Sequence, residues 1–76
     1  MNRNTCNIKE HLGIIFTKNS TWPKEVNIIS WYWRPPEYDI RLWFRGHKPS
    51  RSGIMLNEEE ARTLYKALRG IFEYRY

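Results

Sequence analysis

The chain is poor in the residues that carry most small-domain chemistry. It has a single cysteine, Cys6, so no internal disulfide can form, and no thiol or histidine stands near it at metal-ligand spacing. No apolar run approaches the ~20 residues needed to cross a bilayer. Residues 1–16 lack a cationic segment followed by an unbroken apolar one, so no signal peptide is expected. There is no glycine-rich phosphate loop. His11 and His47 fall in different predicted elements with no Cys, Ser or Asp set beside them in an active-site pattern, and both read as surface histidines. These absences argue against an enzyme, a metal site, a cofactor, a small-molecule substrate and a membrane partner.

Seventy-six residues make one domain, near the lower limit for independent folding. Without disulfides or metal, such a chain commonly gains core by pairing with a second copy. The net charge of +5 is unevenly placed. Residues 1–51 hold nine Lys or Arg against four Asp or Glu, whereas the remainder holds four of each. A basic half and a neutral half point to a polyanionic partner for the first.

Residues 1–7 are polar and expected to be flexible. Ile8 to Thr17 is rich in β-branched residues around Gly13, which predicts a strand with a bulge. Lys-Asn-Ser-Thr-Trp-Pro follows as a turn, with Trp22 as a plug beneath it. Lys24 to Trp33 is β by composition but hydrophobic on both faces. Arg34-Pro35-Pro36-Glu37 is a stiff turn. From Tyr38 the residues alternate: Tyr38, Ile40, Leu42 and Phe44 on one face, Asp39, Arg41, Trp43 and Arg45 on the other. The first set is expected in the core and the second on an open face, where Trp43→Ala should leave the fold intact. Arg45 to Ser52 reads as a basic turn, and Gly53 to Leu56 as a last short strand. Asn57 with Glu60 makes a capping box, and Ala61, Leu64, Leu68, Ile71 and Phe72 form one stripe of an amphipathic helix. Strands first and a helix last predict an α+β domain with an antiparallel sheet.

Asp39-Ile40-Arg41, Trp43-Phe44, Lys48-Pro49-Ser50-Arg51 and Gly53-Ile54-x-Leu56-Asn57, in that order before an acidic helix start, resemble the module of the transcriptional positive cofactor 4 family. These are coactivators that bind single-stranded DNA and have small bacterial relatives. The resemblance spans residues 38–68, with weaker similarity at Lys24 to Asn27 and Ser30-Trp31. It implies a curved four-stranded antiparallel sheet and one C-terminal helix, ββββα, dimerised partly through the helices. Single-stranded DNA would lie on the basic, aromatic sheet faces, with Arg41 and Trp43-Phe44 on the contacting strand and Lys48 and Arg51 in the basic turn.

The leading expectation is therefore a homodimeric binder of single-stranded DNA or RNA with little sequence preference, serving transcription or DNA maintenance. It would be cytoplasmic, and nucleoid-associated if bacterial. Lys24, Arg34, Arg41, Arg45, Lys48 and Arg51 are the candidate phosphate contacts, with Arg41 the most important of them and Asp39 its competing neighbour. Trp33 and Trp43 are candidate stacking platforms, and Trp31 is either a third or a core residue. Ala61, Leu64, Leu68, Ile71 and Phe72 are the candidate dimer interface. The alternative is a small protein-interaction or dimerisation module that binds no nucleic acid.

Overall fold

A computed structural model describes residues 6–16, 18–19 and 21–74. Four strands, β1 (Cys6–Ile15), β2 (Lys24–Trp31), β3 (Glu37–Phe44) and β4 (Lys48–Leu56), precede one helix, α1 (Glu58–Tyr74). The strands form one antiparallel sheet in the order β1-β2-β3-β4. This is the ββββα architecture expected from the sequence. Some boundaries differ: β1 ends at Ile15 rather than Thr17, and β2 at Trp31 rather than Trp33. Cys6 and Asn7 belong to β1 rather than to a flexible tail, while residues 1–5 lie outside the described residues. Lys48 to Ser52, expected in the basic turn, already belongs to β4.

The register of β2 and β3 sets Glu25 opposite Arg41 and Asn27 opposite Asp39, so these four share a face. On β1 the register shifts twice, between Ile8 and Glu10 and between His11 and Gly13. The second shift is the bulge expected near the glycine. The first decides more: without it Glu10, not His11, would stand opposite Asn27, acid against an acid-rich face. On β4, Gly53 faces Arg41 and Pro49 faces Trp43, with Ser50 to Ser52 bulged between them and pinned by the Ser50 hydroxyl and Ser52 backbone.

The face carrying Asp39, Arg41 and Trp43 is the inner one. Trp43 is 2% exposed and Asp39 fully buried, whereas Phe44 of the other set is exposed, as is Ile54, which lies opposite Ile40 on β4. The expectation of a core-facing Tyr38-Ile40-Leu42-Phe44 set and an open Trp43 is thus corrected. The alternation is right and the side is reversed, because the sheet curls around the charged set. In a flat sheet β1 and β4 would lie roughly 14 Å apart. Here Cys6 and Ile8 of β1 line one cleft with Trp43, His47, Lys48 and Pro49. Burial pushes the Cys6 thiol pKa up, with the Asp39 charge adding to the rise and Arg41 opposing it.

α1 forms where the sequence places it. Asn57 Oδ1 accepts from the Glu60 amide at 2.8 Å, and Glu60 Oε1 accepts from the Asn57 amide at 2.9 Å, closing the capping box. Glu58–Arg62 and Arg69–Glu73 pair along the helix at 2.9 and 2.7 Å. Tyr38 donates its hydroxyl to Glu58 at 2.8 Å, tying β3 to the first helical turn and raising the phenol's pKa through that bond and the carboxylate's charge. Ala61 and Leu64 are half-buried, but Leu68, Ile71 and Phe72 stay exposed. Trp22 meets Phe44 edge-on at 5.7 Å between centroids.

Three substitutions at two positions test this packing. Trp43→Ala empties a fully buried site and is expected to remove ~3–5 kcal/mol, most of a small domain's stability. Trp43→Phe should cost far less, because the indole Nε1 it removes has no hydrogen-bond partner among the described residues. A Cβ on Gly53 would stand 2.8 Å from Arg41 Cβ and 2.9 Å from the Ile40 carbonyl oxygen. Gly53→Ala should therefore destabilise by ~1–3 kcal/mol, read by urea denaturation.

Candidate nucleic-acid interface

The inner face is organised by a buried carboxylate. Asp39 accepts from Arg41 Nη2 at 2.8 Å and Nε at 3.0 Å, and from the Trp31 indole at 3.0 Å. The Arg41 side chain, 11% exposed, gives Nη1 to the Ser50 carbonyl at 2.8 Å and lies 4.9 Å over the Trp31 ring. Arg41 is thus not the surface cation that its strand position suggested. Its bond with Asp39 is a buried, bidentate pair rather than an exposed one worth little. The guanidinium holds Trp31 in place from above while Asp39 holds it from the edge.

Around this pair lies a cleft of about 450 Å³, lined by Trp31, Tyr32, Arg34, Arg41, Ser50 and Arg51 among others. Four of the expected contacts, Trp31, Arg34, Arg41 and Arg51, meet there. A second cleft, of about 720 Å³, runs between the start of β1 and the β3–β4 turn. It holds Trp43 and Lys48 of the expected set. Pro49 borders both clefts. Lys24 and Arg45 are exposed but line neither.

Trp33 stands on a different support. The Arg34 amide donates to the Trp31 carbonyl at 2.9 Å, closing a four-residue turn whose central residues, Tyr32 and Trp33, have φ of 52° and 61°. Two left-handed residues in succession are the pattern of a type I′ turn, which ordinarily carries Asn-Gly. Here two aromatic residues occupy it, each at ~1–2 kcal/mol of steric cost. Trp33 projects with 76% of its surface exposed, so packing does not account for its presence. Ser30 Oγ donates to the Arg34 carbonyl at 2.7 Å and braces the turn.

A cluster that sequence reasoning missed joins β1, β2 and the β3–β4 turn. His11 Nδ1 donates to Asn27 Oδ1 at 2.6 Å, and Asn27 Nδ2 donates to Glu25 Oε1 at 3.1 Å. His47 Nε2 meets both Glu25 oxygens at 3.1 and 3.0 Å. The His47 ring lies on Trp43, 4.2 Å between centroids and 13° from parallel. Both histidines had read as isolated surface residues. The one signal in the chain was the left-handed tendency of Gly46-His47, and it says nothing about Glu25. Among the described residues no group of three His, Cys, Asp or Glu is arranged to hold a metal ion, and no helix is long and apolar enough to cross a membrane.

A four-stranded sheet with an inner arginine–aromatic cleft and a single C-terminal helix defines the structural class. No family model matches the chain. It is 30% identical over 64 residues to an uncharacterized protein of Treponema pallidum (strain Nichols), a match covering 84% of this chain and 75% of that protein. The chain belongs to the family of that protein.

Replacing Trp33 by glycine separates a structural from a presented aromatic. Relief of the left-handed strain, ~1–2 kcal/mol, should match or exceed the added freedom of the unfolded chain, ~0.5–1 kcal/mol. Trp33→Gly is expected to keep or raise stability by up to ~1 kcal/mol in chemical denaturation. A loss of several kcal/mol would mean that Trp33 packs.

Proposed function

We propose that the protein binds single-stranded DNA with little sequence preference, as a positive cofactor 4-like module. The observation that carries this reading is the 450 Å³ cleft, where the Trp31 and Tyr32 rings stand among Arg34, Arg41 and Arg51. Flat rings beside cations suit unstacked bases and their phosphates, and a duplex would hide those base faces. Trp33 on its strained turn, between the cleft residues Tyr32 and Arg34 in the chain, adds an exposed ring. The phosphate contacts are the exposed Arg34, Lys48 and Arg51, with Lys24 and Arg45 as outlying charges. Arg41 and Trp43 take supporting roles, since both are held inside. The chain's resemblance to the cofactor family supports the same ligand. Such a binder serves transcription or DNA maintenance in the cytoplasm, at the nucleoid of a bacterial cell.

The protein acts as a homodimer in this reading. Among the described apolar residues only Ile29 and Trp43 are fully buried, too little for a 76-residue chain alone. Leu68, Ile71 and Phe72 of the helix stripe stay open, as does Ile54 on the outer sheet face. With Ala61 and Leu64 they offer apolar surface to a second copy. The same exposure favours the second reading, a protein-interaction module, if no oligonucleotide binds. A monomeric mass in sedimentation at micromolar concentration would refute the dimer.

The test of the ligand is a tryptophan-fluorescence titration with oligo-dT, the matching duplex and RNA at several salt concentrations. Oligo-dT should bind more tightly than duplex, with affinity falling ~0.7 log units per phosphate contact per decade of salt. Arg34→Ala, Lys48→Ala and Arg51→Ala should each lower that slope by ~0.7 at little cost in stability. Arg41→Ala should instead destabilise the fold by ~3–5 kcal/mol, because Asp39 is left buried and unpaired. A flat salt response would refute nucleic-acid binding, and equal affinity for RNA would widen the ligand class.

A further inference from the structure

The second cleft holds a feature that the arginine–aromatic cleft does not explain. His47 sits in a left-handed conformation, φ 56°, directly after Gly46 at φ 78°. A left-handed non-glycine residue is strained, and such strain persists only where surrounding contacts fix it. Two contacts fix His47. One ring face is stacked on the buried indole of Trp43, and the Nε2 edge is held by both oxygens of Glu25. Glu25 is itself buried and held by Asn27, which His11 holds in turn. The imidazole is therefore set in a defined plane, yet more than half of its side chain remains exposed, on the wall of the 720 Å³ cleft. Lys48, the next residue, borders the same cleft.

From this arrangement we propose that the cleft is a nucleobase subsite in which His47, not Trp43, is the stacking platform. This rests on the single-strand reading above and assigns it a second, separate seat. A base lies on the open face of the imidazole, continuing the pile that begins at Trp43. The Lys48 ammonium meets the adjoining phosphate, and Ile8 and Cys6 form the apolar opposite wall. Glu25 acts as a positioning residue through His47, and Asn27 and His11 act through Glu25. A planar ring already immobilised loses little entropy when a base settles on it. Pro49 borders this cleft and the arginine cleft, so one continuous strand passes from the first seat to the second along the start of β4.

The test uses the full chain and two ligands of equal length, oligo-dT and an abasic deoxyribose-phosphate oligomer. His47→Gly removes the ring in a backbone conformation that glycine adopts without strain, so the turn is retained. It is expected to weaken oligo-dT binding at least about fivefold and to leave binding of the abasic oligomer within about twofold. His47→Phe keeps a flat ring that can rest on Trp43 but lacks the Glu25 bond that positions it, so it should recover part, not all, of the oligo-dT affinity lost in His47→Gly. Equal losses of His47→Gly on both ligands would overturn the subsite, since they would reflect a structural or charge effect. Unchanged or tighter oligo-dT binding by His47→Gly would also overturn it, making His47 a cover over Trp43. A His47→Phe variant as weak as His47→Gly would overturn stacking in the same way. If the wild-type chain binds neither ligand, the single-strand reading itself falls and the subsite with it.

Discussion

Everything on the inner face depends on Asp39 being buried as a carboxylate with its partners in place. A carboxylate taken out of water carries a desolvation penalty of several kcal/mol, and only well-aligned donors offset it. Arg41, two residues along the same strand, supplies two, and Trp31 at the end of β2 a third. Because Arg41 answers to Asp39, it also reaches the Ser50 carbonyl and anchors the bulge of β4. Because Trp31 answers to Asp39, its ring stands at the edge of the cleft instead of collapsing into an apolar core. The charged pair thus takes the place that leucine and valine hold in most small sheets.

The helix, its caps and the order of strands were legible in the sequence because each rests on local rules. The capping box at Asn57 and Glu60, the acidic first turn and the period of Leu64 and Leu68 are all read within one or two turns of chain. The alternation along β3 was equally legible, but its direction was not. Facing Ile40, Leu42 and Phe44 inward follows from counting apolar residues. That count does not show that Asp39, Arg41 and Trp31 satisfy one another once β2 is laid beside β3. The histidine cluster was further out of reach. It joins three elements separated along the chain, and it requires the first of the two register shifts in β1 to bring His11 opposite Asn27. Trp33 was visible as an aromatic residue of β2, whereas its place on a strained turn beyond the strand depends on where pairing with β3 stops.

The two turns at the ends of the clefts share a device. Each places an aromatic side chain on left-handed backbone where glycine or asparagine would be the relaxed choice. Tyr32-Trp33 projects rings outward, and His47 lays its ring flat on Trp43. In both cases stability is given up to set the direction of a ring, and in both cases a polar brace, Ser30 or Glu25, holds the result. The inner face is therefore tied together at its centre, around Asp39, and carries its exposed, braced rings at its two ends.

Gly53 has a meaning beyond the room it leaves for Arg41. A hairpin that slipped by one position would set Ser52 or Ile54 against that arginine, and either Cβ would collide with the side chain and the neighbouring carbonyl. The pairing of β3 with β4 is thus keyed like a lock with one notch. A shifted pairing would carry that steric cost in the folded state, so the observed register is favoured over its neighbours. The missing side chain thus helps to set the alignment of the sheet's last strand.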